Sequence, residues 1–493
     1  MSSSTEPKTT TAEEYKTFGE IIWGQFKQYR VSYYCLYGIA AMFILAMVCP
    51  LLVFNIPFYI YVPEEVVIQE GLPETMAGAS FPWLAALFDH NIWNSGADIF
   101  FNFLLFYIPF SLLLWLGITR AGNDGRLDGD GGKGRFWFGI ASLLVVFAAL
   151  VLGFHLGDFF EAVSQGTAGE TVGALLWALA FVALVAGLVF GTHKIDSGGK
   201  DPHRQRRMLF VLVAGVIAAF GFIAVFMSGF RQPFIDYTTI AGLDDSVRAL
   251  FPPIDYSYRA VNLEAVSTPA SPEHWLGTDR EGRDVFTRIL YGTRISLTIG
   301  VVAVSLYVAI GMLLGSLAGF FGGKTDTVIL RLIEIVICFP TIFLLLTLAG
   351  FIEDASVFHI MLIIGLVGWT GIARLVRGEF LRLRNQDFVQ AATALGLKRW
   401  RIIFRHVMPN AVQPVYVAAT FGMAGAILIE ATLAFLGVGP QGVPSWGQIL
   451  TEGRNTQDMT MILASGFAIF IVITLLNLIG EGLRDATDPK MRK

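Results

Sequence analysis

Charge is what this 493-residue chain has least of. Asp, Glu, Lys and Arg make up 15% of it, against 54% hydrophobic residues and a mean hydropathy of +0.61. Soluble chains carry about a quarter of their residues charged, so the composition excludes an ordinary soluble domain and assigns a membrane class. Cysteine is nearly absent: Cys35, Cys49 and Cys338 all lie in apolar runs. That placement excludes a disulfide framework and leaves them as small apolar residues. The seven histidines (His90, His155, His193, His203, His274, His359 and His406) are scattered, with no pair at metal-ligand spacing on one helix. No Gly-x-Ser-x-Gly occurs, and Lys and Arg are missing from residues 56–97 and 157–171. Neither a catalytic constellation nor a resident metal or cofactor is expected.

Long apolar runs are what the chain does have. About 20 apolar residues cross the hydrocarbon core, and ten runs qualify: 33–55, 98–118, 136–156, 172–191, 208–229, 296–320, 328–350, 356–373, 412–436 and 461–481. In lipid each must be helical, because its backbone groups find no water to bond. The expected fold is therefore an all-α integral membrane protein of about ten transmembrane helices. The first 32 residues are polar and no cleavable signal peptide is evident, so the first run is expected to remain as an anchor.

The positive charges orient these spans. With the N-terminus inside, 27 of the 35 Lys and Arg fall on the inner side and 8 on the outer. Both termini are then cytoplasmic, and the predicted divisions follow. They are a cytoplasmic segment 1–32, a first span 33–55, an additional region 56–230 with four further spans, an extracytoplasmic stretch 231–295 and a helical core 296–493. The basic clusters sit in short loops beside spans, which speaks against nucleic-acid binding and for contact with membrane lipid. Gly122–Arg135 reads as a flexible inner loop; its spacing does not fit a calcium-binding loop.

The inner loop 374–411 is the most informative. Asp387–Leu395 favours a short helix rich in Ala, and Gly396 supplies a stop. Lys398–Met408 reads as a second, amphipathic helix with Trp400, Ile403, Phe404 and Val407 at helical spacing, and Pro409 marks the next span. Small residues at Ala391 and Ala392 permit close approach of another protein. The residues alone leave two readings open: a compact docking knob, or a basic loop lying on anionic headgroups.

Gln390-Ala391-Ala392-x-x-x-Gly396, followed by His406-Val407-Met408-Pro409, resembles the Glu-Ala-Ala motif of bacterial ATP-binding-cassette (ABC) importer permeases. The Gly-to-Pro spacing matches, with Gln390 in place of the usual Glu. The segments Trp275–Asp284, Arg288–Leu297, Glu430–Gly439, Pro444–Gly447, and Leu483–Asp485 with Asp488-Pro489 are similar to the dipeptide/oligopeptide/nickel branch, in particular its dipeptide permease C-type subunits. The resemblance is strong over 275–493, loose over 20–55, and does not reach 56–230. It implies a C-terminal core like that of type I importers and a subunit of the bacterial inner membrane with no catalytic site of its own. Asp387, Gln390, Ala391, Ala392, Gly396, His406 and Pro409 would form the coupling element that docks on an ATPase. Its implied partners are a second homologous permease, two ABC ATPases that bind ATP and Mg, and an extracytoplasmic solute-binding protein. The implied cargo is peptides or similar small solutes. Residues 275–295 and 437–460 are the expected docking surfaces for the binding protein. The family usually has six spans, so this chain has four extra, an even number that leaves the knob cytoplasmic.

Other residues carry narrower expectations. Gly277, Thr278, Asp279, Gly282, Arg283 and Asp284, with Arg280 and Glu281, read as a charged outer turn held by salt bridges. Glu430, ionisable at membrane depth, is a candidate for the pathway or a gate, the alternative being a packing hydrogen bond. Arg331 and Glu334 suit a local ion pair, and Trp369 and Arg374 suit interface anchors. Ala318–Thr325 nearly matches a phosphate-binding loop, but it follows a long apolar span where that motif needs a short strand, so Gly322-Gly323 reads as a tight inner turn. A secondary transporter or membrane enzyme acting alone would need carboxylates or histidines paired within spans; only isolated ones occur.

Overall fold

The computed structural model describes residues 18–105 and 235–487, apart from 71, 74–75, 88–92, 94–97, 99–100 and 103 in the first stretch and 245, 353–355 and 441 in the second. The expected spans at 136–156, 172–191 and 208–229, most of the one at 98–118, the loop Gly122–Arg135 and residues 1–17 lie outside the described residues. Among the described residues five helices are long and apolar enough to cross a membrane, or six if one bent pair counts as a span.

Helix α1 (Phe18–Phe26) precedes the first span, α2 (Arg30–Leu52). The segment that follows holds β1 (Tyr59–Val62), α3 (Glu64–Gln69), β2 (Gly78–Ser80) and α4 (Pro82–Ala86). After residue 234 come α5 (Tyr237–Ala241) and β3 (Arg248–Leu250). The three strands form one antiparallel sheet in the order β2-β1-β3, with Ile60 opposite both Ser80 and Ala249. This sheet corrects the all-helical expectation. Tyr59-Ile-Tyr-Val62 alternates β-branched and aromatic side chains, a pattern that suits a pleated surface outside the bilayer. Ile60 and Val62 are fully buried on its inner side, in a cluster with Phe54, Trp93, Tyr258 and Tyr291.

The bundle proper begins with α6 (Val285–Phe321). It was expected to start at residue 296 but starts at Val285, because Asp284 caps it by accepting a hydrogen bond from the Thr287 amide at 2.7 Å. Its outer turns, including Arg288, Tyr291 and Arg294, are buried in protein. After a turn at Gly322-Gly323, both at positive φ, come α7 (Gly323–Cys338) and α8 (Thr341–Gly350). These replace the single span expected at 328–350 with two helices bent by 83°. Pro340 explains the break: it lacks an N–H and drives Phe339 into the extended region, φ −89° and ψ 133°. Cys338, expected to be buried, is exposed beside the bend, whereas Cys35 and Cys49 are buried.

Helix α9 (Val357–Leu383) is followed by α10 (Asp387–Ala394), α11 (Arg399–Ile402), a π-turn at Ile403–Val407 and α12 (Met408–Ala411). Then come α13 (Gln413–Phe435), the short helix α14 (Trp446–Thr456) and α15 (Met459–Thr487). One apolar core packs α6 against α7, α8 and α9, and a second joins α1, α2, α6, α13 and α15.

Gly311, Gly315 and Gly319 set how closely α6 and α9 approach. A Cβ at these positions would lie 2.6 Å from Ile372 Cβ, 2.5 Å from the Ala373 carbonyl and 2.5 Å from Phe380 Cβ. Small residues four apart let two helix backbones come together where lipid offers no hydrophobic drive. Trp369, expected as an interface anchor, is instead buried along α9, which continues well past residue 373. Arg374 is exposed.

Candidate functional site

The loop 374–411 forms a knob. Helix α10 ends in paired hydrogen bonds, from the Gly396 amide to the Thr393 carbonyl at 3.0 Å and from the Leu397 amide to the Ala392 carbonyl at 3.2 Å. That arrangement needs a left-handed residue after the helix, which Gly396 supplies at φ +72°. Only a short turn, Arg384–Gln386, separates α9 from α10, and hydrogen bonds from Arg384 to Phe380 and from Gln386 to Leu383 close it. The knob is therefore a direct continuation of α9.

The two alanines face opposite ways. Ala392 is buried with Val389 against the chain's own core, while Ala391 is exposed. The expectation that both admit a partner is corrected for Ala392, whose side chain turns into the chain's own core and is buried there. Gln390 is exposed, its side-chain amide donating to the Asn385 carbonyl at 3.1 Å. Asp387 and Pro409 are exposed and His406 is half-buried. The expected second helix is interrupted by the π-turn. Ile403 and Val407 point into the core, and Trp400 and Phe404 stack on the outside with ring centroids 5.9 Å apart. Together with Phe388 and Leu395, they give the knob an apolar exposed face that composition alone did not reveal.

Behind the knob two arginines brace the bundle. Arg377 holds Asp326 with both arms of its guanidinium, and Arg384 Nη1 donates to the Gly319 carbonyl at 3.1 Å. Arg331 and Glu334 form the expected local pair at 2.6 Å on an exposed face.

Away from the knob, the stretch 277–284 is the expected salt-bridged turn. Gly277 and Gly282 lie at φ +75° and +72°, and a side chain at either would run into the backbone of Thr268 or Asn262. Thr278 bonds Thr268 and the Ala265 carbonyl. Asp279 accepts from the amides of Glu281 and Arg283, from Arg283 Nε at 2.7 Å and from Arg288. Burial pushes the Asp279 carboxyl up, but the Arg288 guanidinium and the bonds from Arg283 outweigh it and hold it below the usual carboxylate range. Asp284 also takes the His274 ring at 2.9 Å.

Sequence reasoning missed the far side of this network. Glu452 of α14 receives Arg288 Nη2 at 2.9 Å and Arg283 Nη2 at 3.4 Å. The Trp446 indole donates to the Ile289 carbonyl at 3.1 Å. Residues 275–295 and 437–460, expected as two surfaces, are thus brought together into one. Glu430 sits behind them, buried, with Ser445 as the neighbouring hydroxyl and neither carboxylate oxygen in a hydrogen bond of normal geometry.

A family model described as "Binding-protein-dependent transport system inner membrane component" matches residues 311–493. The dipeptide transport system permease protein DppC of Alkalihalophilus pseudofirmus is 41% identical over 249 residues, covering 50% of this chain and 82% of that protein. The oligopeptide transport system permease protein OppC of Bacillus subtilis is 39% identical over 251 residues, with 50% and 82% covered. A solved structure of the MetNI methionine ABC transporter in an inward-facing conformation aligns at a TM-score of 0.36 and 18% identity, over 41% of this chain and 97% of that one.

Proposed function

The chain belongs to the family of binding-protein-dependent transport system inner membrane components, and from that premise we propose that the knob Asp387–Pro409 receives the motion of a separate ATPase and passes it to the bundle. The chain is a multi-pass inner-membrane transport component, the permease subunit of an ABC importer, and not an enzyme. Chemical energy then has to arrive from outside, and ATP and Mg belong to two partner ATPases. The observation that carries the reading is the knob itself: a short helix, a left-handed glycine and a second helical segment, exposed on one face and continuous with α9. A rigid lever of this kind transmits displacement better than an extended loop.

The remaining parts follow from the same premise. The termini lie in the cytoplasm, the pathway runs between this chain and a second homologous permease, and peptides or similar small solutes are its cargo. The joined outer surface of 275–295 and α14 receives a solute-binding protein. Glu430, close behind that surface, lines the pathway or its gate.

The test replaces Gly396 by Pro, or removes residues 387–396, in the assembled transporter. Loss of ATPase co-purification and of peptide uptake is the expected result. Unchanged association and uptake would refute the coupling role, as would labelling of a Thr393→Cys side chain from outside the cell.

A further inference from the structure

At the inner end of the bundle, Arg377 of α9 meets Asp326 of α7 in a two-point clasp: Nε to Oδ1 at 2.5 Å and Nη2 to Oδ2 at 2.7 Å. Two parallel hydrogen bonds fix orientation as well as distance, which a lysine at the same place cannot do. Asp326 lies in the first turn of α7, where the helix dipole favours a negative charge.

The surroundings give this clasp a mechanical meaning. Helix α9 runs into the knob through a closed turn with no slack, and the glycine seam locks α6 to α9. Helix α7 is held more loosely. Only Ile329 and Ile333 of its side chains are buried, while Val328, Leu332 and Ile335 leave about half their surface exposed. Its far end is the 83° bend at Phe339-Pro340. A helix with few buried side chains, bent away sharply at one end and clasped at the other, moves with whatever the clasp is attached to.

We propose that the Asp326–Arg377 pair is the positioning contact that makes α7 follow the knob. Displacement at 387–396 then swings the exposed face of α7 about the Phe339-Pro340 bend and changes access to the pathway. This rests on the coupling role given to the knob. It assigns the pair to transmission, downstream of ATPase docking.

The experiment needs no knowledge of the cargo. In the assembled transporter, with the exposed Cys338 replaced (Cys338→Ala), single reporters are introduced as Leu332→Cys on α7 or Thr393→Cys on the knob. Their maleimide labelling rates are compared with and without ATP plus vanadate. Both reporters are expected to respond in the parent. In Asp326→Asn and in Arg377→Lys the response at residue 393 should persist, while that at residue 332 falls about 10-fold, a typical size for loss of a coupling contact. A response at 332 that survives both substitutions overturns the proposal, since α7 then follows the knob by another route. Loss of the response at both positions also overturns it, because the pair would then only stabilise the knob. A parent with no response at 393 removes the coupling role itself, and the proposal with it.

Discussion

Arg294 and Asp98 face each other at 3.2 Å with both side chains sealed from solvent. The other arms of the guanidinium reach the Ala46 carbonyl at 2.7 Å and Asn102 Oδ1 at 2.9 Å, and Trp93, Phe101 and Tyr291 surround it. One side chain on α6 thus ties together the first span and the residues where the second expected span begins. Removing one partner of a buried pair leaves an uncompensated charge and costs about 3–5 kcal/mol, whereas replacing both by apolar residues is far milder. Arg294→Leu is therefore expected to lower the thermal stability of the detergent-solubilised protein sharply. The triple change Arg294→Leu, Asp98→Leu, Asn102→Leu should recover much of it. Equal stability of Arg294→Leu and the parent would contradict the clamp.

The two functional glycines predict unequal losses. Gly396 has open space around it, so Gly396→Ala meets only the left-handed backbone penalty of about 1–2 kcal/mol. At Gly282 the same penalty is joined by a collision with the Asn262 backbone. Gly282→Ala should reduce the yield of folded protein, while Gly396→Ala should fold and show only faster amide exchange in the knob. Hydrogen exchange by mass spectrometry separates the two, and equal effects at both sites would count against the geometry described.

How much of this was legible beforehand depends on the range of each signal. The spans carrying α2, α6, α9, α13 and α15 follow from apolar length, and the stop at Gly396 follows from local backbone chemistry, so both could be read. The bend at Pro340 was equally local and could have been read, since a proline in the middle of an apolar run removes a helix hydrogen bond, unlike Pro414 in the first turn of α13. The seam at Gly311, Gly315 and Gly319 was also visible as spacing, although it names no partner helix. Glu452 and Asp98 are different. Each is far in sequence from the arginine it binds, and a single sequence carries no record of which distant charges meet. The exposed stack of Trp400 on Phe404 was masked by the same limit, because helical spacing alone placed both with the buried Ile403 and Val407.

Acid should loosen the outer turn in a defined way. Asp279 has a lower carboxyl pKa folded than unfolded. Its contribution to stability is therefore complete above the ordinary aspartate range, near about 3.9, and is lost as pH falls through the lower folded value. Asp279→Asn should lower stability at neutral pH and make the remaining stability less sensitive to acid below about pH 4. Melting curves of the two proteins between pH 3 and pH 7 test this. Curves that stay parallel over the whole range would show that Asp279 does not titrate with the fold.

Exposed apolar side chains on the knob should matter for assembly and not for folding. Leu395 is 81% exposed and Phe404 52% exposed. Leu395→Ser and Phe404→Ser are expected to change the stability of the chain by less than about 0.5 kcal/mol. If these side chains form the centre of the docking face, each should weaken ATPase association by about 2 kcal/mol. Titration of the solubilised permease with its ATPase measures this, and undiminished affinity in both variants would move the docking face elsewhere on the knob.

Glu430 offers the sharpest division between a working role and a packing role. Its carboxyl group is buried near the outer end of α13 with no properly formed hydrogen bond, an arrangement that costs stability wherever the group is charged. Glutamine keeps the shape and removes the charge. A residue retained for transport should give a Glu430→Gln protein that melts at or above the parental temperature and assembles normally, yet takes up peptide more slowly. A residue retained for packing would show the reverse, a lower melting temperature with uptake per assembled complex unchanged. Because a buried carboxyl group with only the Ser445 hydroxyl beside it adds nothing to the packing that an amide of the same size would not, the first outcome is the one expected.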